Sequence, residues 1–519
     1  KQKKKGSMLF LLLITSYKIK MKEYYKYNQY TKQKVRHKAI FKAIESLTYN
    51  REQSCCVERN YVRKIYDYFT LSEDISQNKK EAKKIDISYI KNWEKLHDSY
   101  VGVKKPEDLI VCFLCGPEPN NDFRELINLG ILPQNIWAFE SNNQVYKKAI
   151  AAYEQGEYPQ PRIIKQNVET FFQQTPKKFD VIYIDACGSI PSTQHALRCV
   201  STLFQNHRLN SPGVIITNFA MPNTTKENIV DYYEVVSQYL FFKKYPSAKI
   251  EVNKNGIINE KYFEFLNDVK NNFELYYGEF ISAVLRDIPA VIMPLERIAL
   301  NPYINQLIDL TEICITDEEL INMSEENSIA KYFFMINLLL KKELLSEKSK
   351  CFLNEIGNYD ALLKGLKIII LLRKGKIQLK KDVQEIKEYF ETNKKIYQFL
   401  DKPHSNLFFD IIINQLAYPM HNNVQYSERF RYIAKTNCMY TDVTIYDECR
   451  YIYEWLPGLH QIESSFENIS WQYVFRFALD GLVKMRQNYN NEFFFQGSIV
   501  SNTVQGFSSK KLKERILIN

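Results

Sequence analysis

Leu109-Ile-Val-Cys-Phe-Leu-Cys115 is a continuous apolar run, and Cys115-Gly-Pro-Glu-Pro119 closes it in a turn. An unbroken run of this length reads as a central parallel strand buried on both faces. Similar strands recur further along the chain. Asn121 or Asp122 is placed to cap a helix over residues 123–129, which Gly130 ends. Asn135-Ile-Trp-Ala-Phe-Glu140 is a second strand, and Ser141 or Asn143 caps a helix running to about Tyr153. Arg162-Ile-Ile-Lys165 is a short third strand, after which Asn167 precedes a helix over 168–173. Phe179-Asp-Val-Ile-Tyr-Ile-Asp185 is the fourth strand and the clearest, 192–204 reads as a helix, and Gly213-Val-Ile-Ile-Thr-Asn-Phe219 is the fifth strand. The helix-to-strand loops are short and the connections long enough for right-handed crossovers, which gives a doubly wound α/β domain.

In such a sheet a ligand sits beyond the carboxyl ends of the strands, near the switch point. Gly116 lets the backbone approach that ligand with no Cβ in the way. Glu140 ends the second strand, at about the 20-residue spacing from the glycine turn expected of a carboxylate that accepts two ribose hydroxyls. Asn167, just after the third strand, is placed to pair with an adenine edge, and Asp185 ends the fourth strand at the crevice. A nucleotide-type cofactor is therefore the first expectation. The G-x-G-x-x-G fingerprint is absent after the first strand, which argues against a nicotinamide or flavin site.

These motifs resemble a class I S-adenosylmethionine-dependent methyltransferase over about residues 105–220. The resemblance is carried by Cys115-Gly116-Pro117-Glu118, Ala138-Phe139-Glu140, Gln166-Asn167-Val168-Glu169 and Phe179-Asp180-Val181-Ile182-Tyr183-Ile184-Asp185. It implies a Rossmann-like fold with S-adenosylmethionine as cofactor. Cys115, Gly116, Pro117 and Glu118 would surround the methionine part, Glu140 would hold the ribose, and Asn167 would lie near adenine. Asp185 would lie near the transferred methyl group as the catalytic residue. Members usually carry a second and often a third glycine in the first turn, where this chain has residues such as Glu118 and Asn120.

The acceptor is less legible. The Asp/Asn-Pro-Pro-aromatic motif of amino-methylating nucleic-acid enzymes is replaced by Asp185-Ala-Cys-Gly-Ser189. The Asp-Ala-Pro-Cys of RNA cytosine-C5 enzymes lacks its proline here, which disfavours a covalent cysteine mechanism and leaves Cys187 as a small buried residue. Asp185 to Pro191 is faintly similar to the Asp-Pro-Phe-Gly-Ser-Pro of tRNA guanine-N2 dimethyltransferases. His195 is an accessory candidate, although on a helix face it is more often structural. Two functions follow: methyl transfer to an oxygen or nitrogen nucleophile, with nucleic acid as the leading substrate class, or a non-catalytic binding or scaffold module on the same fold.

Composition bounds the rest. With 519 residues, 45% hydrophobic and 25% charged, the chain is of ordinary globular composition and expected to hold about 2–4 units. A net charge of +10 permits an anionic partner without demanding one. The ten cysteines are scattered; Cys55 and Cys56 are adjacent, Cys112 and Cys115 point to opposite faces of one strand, and no second pair stands at zinc-finger spacing, so no metal site is expected. A reduced cytoplasmic protein follows from this usage. Residues 1–20 are expected to be an extension, with Met21 as the start; the apolar run Met8–Ile14 only superficially resembles a signal peptide. No run approaches the length of a membrane span.

Residues 21–105 read as helical, with Lys32, Lys34, Arg36, His37 and Lys38 as a dense basic cluster: a solvated helix face on the bland reading, a phosphate contact on the sharp one. The α/β domain is expected to span 106–298, with Asp287–Pro294 as a late strand or a loop. A mostly helical C-terminal region is expected over 299–519. Within it Arg429, Arg431, Lys435 and Arg450 lie among aromatics and Asp442 and Asp447, as an internal ion-pair network in preference to a nucleic-acid surface. The basic tail Lys510–Arg515 is expected to fray.

Overall fold

In the computed structural model, the described residues are 30–71, 77–156, 162–192, 196–223, 228–249, 251–309, 315–324, 328–392, 416–458, 461, 464–465, 467–485 and 512–519. Residues 1–29, with the expected extension, and His195 lie outside them. Five parallel strands form where the apolar runs stand: β1 (Val111–Leu114), β2 (Ile136–Phe139), β3 (Arg162–Ile164), β4 (Phe179–Asp185) and β5 (Leu209–Ala220). Their spatial order is β3-β2-β1-β4-β5, so the switch point lies between β1 and β4. The sheet is mixed, mostly parallel and Rossmann-like.

It does not stop at β5. A short strand β6 (His421–Asn422), the hairpin β7 (Glu428–Ala434) and β8 (Asn437–Asp447), and the terminal strand β9 (Ile516–Ile518) bring it to nine strands. β8 lies antiparallel to β5, with Met439 opposite Ala220 and Tyr446 opposite Gly213. β7 follows antiparallel to β8, and β9 adds parallel to β7. An antiparallel strand thus takes the place beside β5 that the all-parallel dinucleotide-binding order gives to a sixth parallel strand. This corrects the expected boundary near 298: four strands of the region expected to be mostly helical complete the α/β sheet. The expected frayed tail is corrected too, because Arg515 pairs with Asp442 at 2.5 Å and leads into β9.

Helix α1 (Tyr30–Leu47) packs on one face of the sheet. Val35, Ala39, Ala43 and Ile40, Ile44, Leu47 recur at helical spacing and bury against Val214, Ile216, Phe430, Tyr432, Val443 and Ile445. Helix α2 (Ile87–Val101) is capped by Asp86, whose carboxylate accepts the Ser88 amide. Three helices follow β1, β2 and β3: α3 (Asn120–Asn128), α4 (Asn143–Glu154) and α5 (Val168–Gln174). Cys112 joins one core and Cys115 the other, as strand alternation requires. The caps differ from expectation at two helices. Pro119 precedes α3 with no side-chain bond, and Asn142 caps α4 by accepting the Gln144 and Val145 amides. Asn167 does cap α5, through the Glu169 amide.

Between β5 and β6 a long helical insertion covers the opposite face. Its helices Ile229–Lys244, Phe273–Asp287, Ser328–Lys341 and Tyr359–Arg373 share a core with Ile182, Ile184, Ile215 and Phe219. The stretch Asp287–Pro294 is neither strand nor loop: a π-helical turn at Ile288–Ile292 carries one buried helix into the next. Periodicity cannot separate a short buried strand from a buried helical segment, and Pro289, which has no N–H to donate, sits in the wider turn. Among the described residues no helix is long and apolar enough to cross a membrane.

Candidate functional site

Register sets the site. Phe113 lies beside Tyr183 and Leu114 beside Phe139, while Asp185 stands opposite Asn218. The ladder continues one step beyond the strands, since the Cys115 amide donates to Phe139 O and the Glu140 amide to Ile164 O. Cys115, Gly116, Glu140, Asp185 and Asn218 therefore form a row along the carboxyl edge, at the switch point. Alternation then fixes their direction. Val181, Tyr183 and Asp185 share a face with Ile216 and Asn218 and with Ala138 and Glu140, and this is the face that α1 covers.

Gly116 has φ +57°, a left-handed conformation that side chains rarely adopt, and a Cβ built there would meet nothing within 4 Å. The turn thus leaves open space at the end of β1. Pro117 and Glu118 are exposed beside it, and Glu118 accepts from Asn121 at 3.0 Å. The Cys115 thiol is buried; burial first, then Glu140 and Asp122, pushes it up to about 12, so it is no nucleophile at neutral pH. Glu140 Oε1 accepts the Asn142 amide at 2.7 Å, which anchors the carboxylate at the strand end, and its Oε2 has no partner among the described residues. Asn167 Oδ1 is taken by the Glu169 amide at 2.8 Å, so only its Nδ2 is left to donate toward a base.

Asp185 has partners the sequence does not reveal. Lys32 Nζ lies 3.0 Å from its Oδ2 and Arg36 Nη2 4.0 Å away, both from the first turns of α1. Asn218 Nδ2 donates to its Oδ1 at 2.8 Å, and the Cys187 thiol at 2.9 Å. Burial pushes the Asp185 carboxyl up, but Lys32, Arg36 and the two hydrogen bonds outweigh it and hold it below its ordinary value. Asn218 is fixed in turn by Thr441 and Tyr432 of the terminal hairpin. Cys187, with φ +53°, is exposed as a residue, but its sulfur lies between Asp185 and Lys32. Desolvation and Asp185 push its thiol up to about 11, so it is not a thiolate at neutral pH. The expected buried Cys187 is thus corrected, and the disfavoured covalent route stays disfavoured.

Arg36 continues the network inward. Its Nε lies 2.8 Å from Asp122 Oδ1, out of line for a hydrogen bond, so charge holds this pair. Burial pushes Asp122 up to about 6 in spite of Arg36. His37 Nδ1 lies 3.0 Å from Glu125. Within the basic cluster of α1, Lys38 stays exposed, while Lys32 and Arg36, four apart, point into the site. Their spacing on the stripe of Val35 and Ala39 was the available signal. In the other basic cluster Arg429 is buried and pairs with Glu279 at 2.8 Å, Arg431 pairs with Glu274 at 2.6 Å and Arg450 with Glu454 at 3.0 Å, while Lys435 is exposed.

No protein-family profile matches the chain, and no curated protein does. Similar solved structures include the plantazolicin methyltransferase in complex with S-adenosylhomocysteine, at 15% identity over 61% of this chain and 94% of that one, TM-score 0.20. Magnesium protoporphyrin IX methyltransferase from Synechocystis PCC 6803 matches at 15% identity over 31% and 70%, TM-score 0.18. An S-adenosylmethionine-dependent methyltransferase from Clostridium acetobutylicum ATCC 824 matches at 17% identity over 35% and 61%, TM-score 0.18. All three are methyltransferases, but at these scores the likeness carries no functional weight.

Proposed function

We propose that the chain is an S-adenosylmethionine-dependent methyltransferase acting on an oxygen or nitrogen nucleophile. The observation that carries this reading is the juxtaposition of the open, left-handed Gly116 turn with the half-anchored Glu140 on adjacent strand ends. Gly116 and the backbone of 115–118 would hold the methionine part, Glu140 the ribose hydroxyls, and Asn167 Nδ2 an adenine acceptor. The cofactor, when bound, supplies an electrophilic methyl group. The chain's own task is then to position the acceptor and keep water out, which is where most of the rate in such a transfer arises. Asp185, held ionised by Lys32 and Arg36, is a weak base, so its role is to orient the acceptor and the two cations beside it. Nucleic acid as acceptor draws on the net charge of +10 and the faint similarity of Asp185 to Pro191 to tRNA guanine-N2 dimethyltransferases, since Arg429 is already paired with Glu279.

One observation favours a second reading. The carboxylate at the transfer end of the site is neutralised by the chain's own Lys32 and Arg36, an arrangement that also suits a non-catalytic module. Incubating the full chain with methyl-labelled S-adenosylmethionine and RNA, DNA, peptide and small-molecule acceptors separates the two. Labelled product that is lost in Asp185→Ala supports the enzyme. Cofactor binding without transfer to any acceptor supports the module.

A further inference from the structure

A second polar centre lies far from the carboxyl edge. Asp447 is the last residue of β8, Cys449 follows it by two, and Cys56 comes from the turn between the helices Arg51–Ser54 and Tyr61–Leu71. All three are buried, and Cys56 Sγ, Cys449 Sγ and an Asp447 carboxylate oxygen lie within 4.8 Å of one another. We propose that Cys56, Asp447 and Cys449 bind a thiophilic divalent cation, Zn²⁺ in the first instance, and so tie the N-terminal helices to the end of the sheet. Sequence spacing hides such a site, because Cys56 and Asp447 are 391 residues apart.

The donor set suits zinc: two thiolates and a carboxylate. In a tetrahedral site with Zn–S of about 2.3 Å and Zn–O of about 2.0 Å, such donors stand about 3.5–3.8 Å apart. The three are therefore within a small side-chain adjustment of ligating geometry. Their surroundings orient them. Asp447 Oδ2 accepts from the Cys56 amide at 2.8 Å and the Tyr451 hydroxyl at 2.5 Å. Its Oδ1 accepts from Ser211 Oγ at 3.0 Å and the Cys449 amide at 2.9 Å. Both oxygens are thus fully engaged, so ligation requires one of these donors, most simply the rotatable Tyr451 hydroxyl on Oδ2, to turn away. Cys449 is held at φ +50°, a costly conformation for a residue with a side chain, and the Asp447 contact maintains it. A cavity of about 200 Å³, lined by Ser211, Tyr451 and Asp447 itself, adjoins the cluster on the Asp447 side.

Charge is consistent in both states. Arg51 is buried nearby, and among the described residues it donates only to backbone carbonyls, Val101 O at 2.7 Å and Leu47 O and Pro212 O at 3.5 Å. Two neutral thiols with ionised Asp447 carry −1, and so do two thiolates and the carboxylate around a divalent cation. Arg51 balances either. Cation uptake therefore exchanges two thiol protons for one Zn²⁺.

The test uses the full chain, reduced and freed of metal, titrated with Zn²⁺ and with Co²⁺ as spectroscopic probe. The proposal expects one zinc per chain, two protons released per zinc in weak buffer, and thiolate-to-cobalt charge-transfer bands. Cys56→Ser and Cys449→Ser should abolish those bands. Where a serine variant does not fold, mapping the thiols that zinc protects from alkylation in the wild-type chain reads the same assignment. Absence of the charge-transfer bands in the wild type overturns the proposal, as does protection of any other cysteine pair. A chain that zinc cannot load because Cys56 and Cys449 form a disulfide under reducing conditions overturns it too.

Discussion

Asp185→Asn tests whether the ion pair at the end of β4 is a structural hub. The substitution keeps Oδ1 as acceptor for Asn218 and Cys187 and replaces Oδ2, the oxygen facing Lys32 and Arg36, with an uncharged NH2 group that cannot accept from them. At 3.0 Å the gross attraction between Lys32 and Asp185 is about 5.5 kcal/mol with an effective dielectric of 20. Desolvation offsets part of this, but breaking a buried pair from one side leaves the other charge uncompensated, which costs about 3–5 kcal/mol. The pair is about one-eighth exposed on the Asp185 side, and Arg36 retains Asp122, so the lower end applies: about 3 kcal/mol. Because folding depresses the Asp185 pKa, its contribution is full above the unfolded carboxyl value and is lost as pH falls through the folded one. Urea unfolding of wild type, Asp185→Asn, Lys32→Met and the double variant at pH 7 reads the coupling. The double variant should be less destabilised than the sum of the singles by at least about 1 kcal/mol. A single Asp185→Asn variant within about 0.5 kcal/mol of wild type would refute the hub.

Glu296 is 1% exposed, and burial pushes its carboxyl up to about 8 against the single hydrogen bond from the Asn358 amide. The folded chain then keeps a proton that the unfolded chain loses near pH 4.5, so stability falls as pH rises between these values. Glu296→Gln should flatten that fall, measured as urea midpoints at pH 5.5 and 8.5; an unchanged slope would count against it. Gly116→Ala meets no steric obstacle but must adopt φ +57°, so it should cost about 1–2 kcal/mol of stability and weaken S-adenosylhomocysteine binding as well. Tight cofactor binding by a folded Gly116→Val variant would move the cofactor away from this turn.

Much of the sheet was legible because β1, β2, β4 and β5 are apolar runs with short turns between them. Phe179–Asp185 appears in the structure with the bounds its pattern predicts. The hairpin was missed for a different reason. Arg429, Phe430, Arg431 and Tyr432 of β7 do alternate, but the pairing of β8 with β5 across some 200 intervening residues leaves no local trace. The geometry of the candidate site was legible in the placing of Gly116 and Glu140 at adjacent strand ends, which follows from backbone order. It was not legible at Asp185, because Lys32, Arg36 and Asn218 reach it through tertiary packing. A cluster of basic residues on a helix reads as solvated until the face it buries is known.

Calorimetric titration of S-adenosylhomocysteine into the folded full chain tests the central claim most directly. A cofactor site at the Gly116 turn predicts saturable binding to the wild type. It also predicts a loss of about 1.5–3 kcal/mol in Glu140→Ala, the scale of hydrogen bonds to a charged group and a drop in affinity of about 10–150-fold. No binding to a well-folded wild type, or undiminished binding by Glu140→Ala, would contradict it.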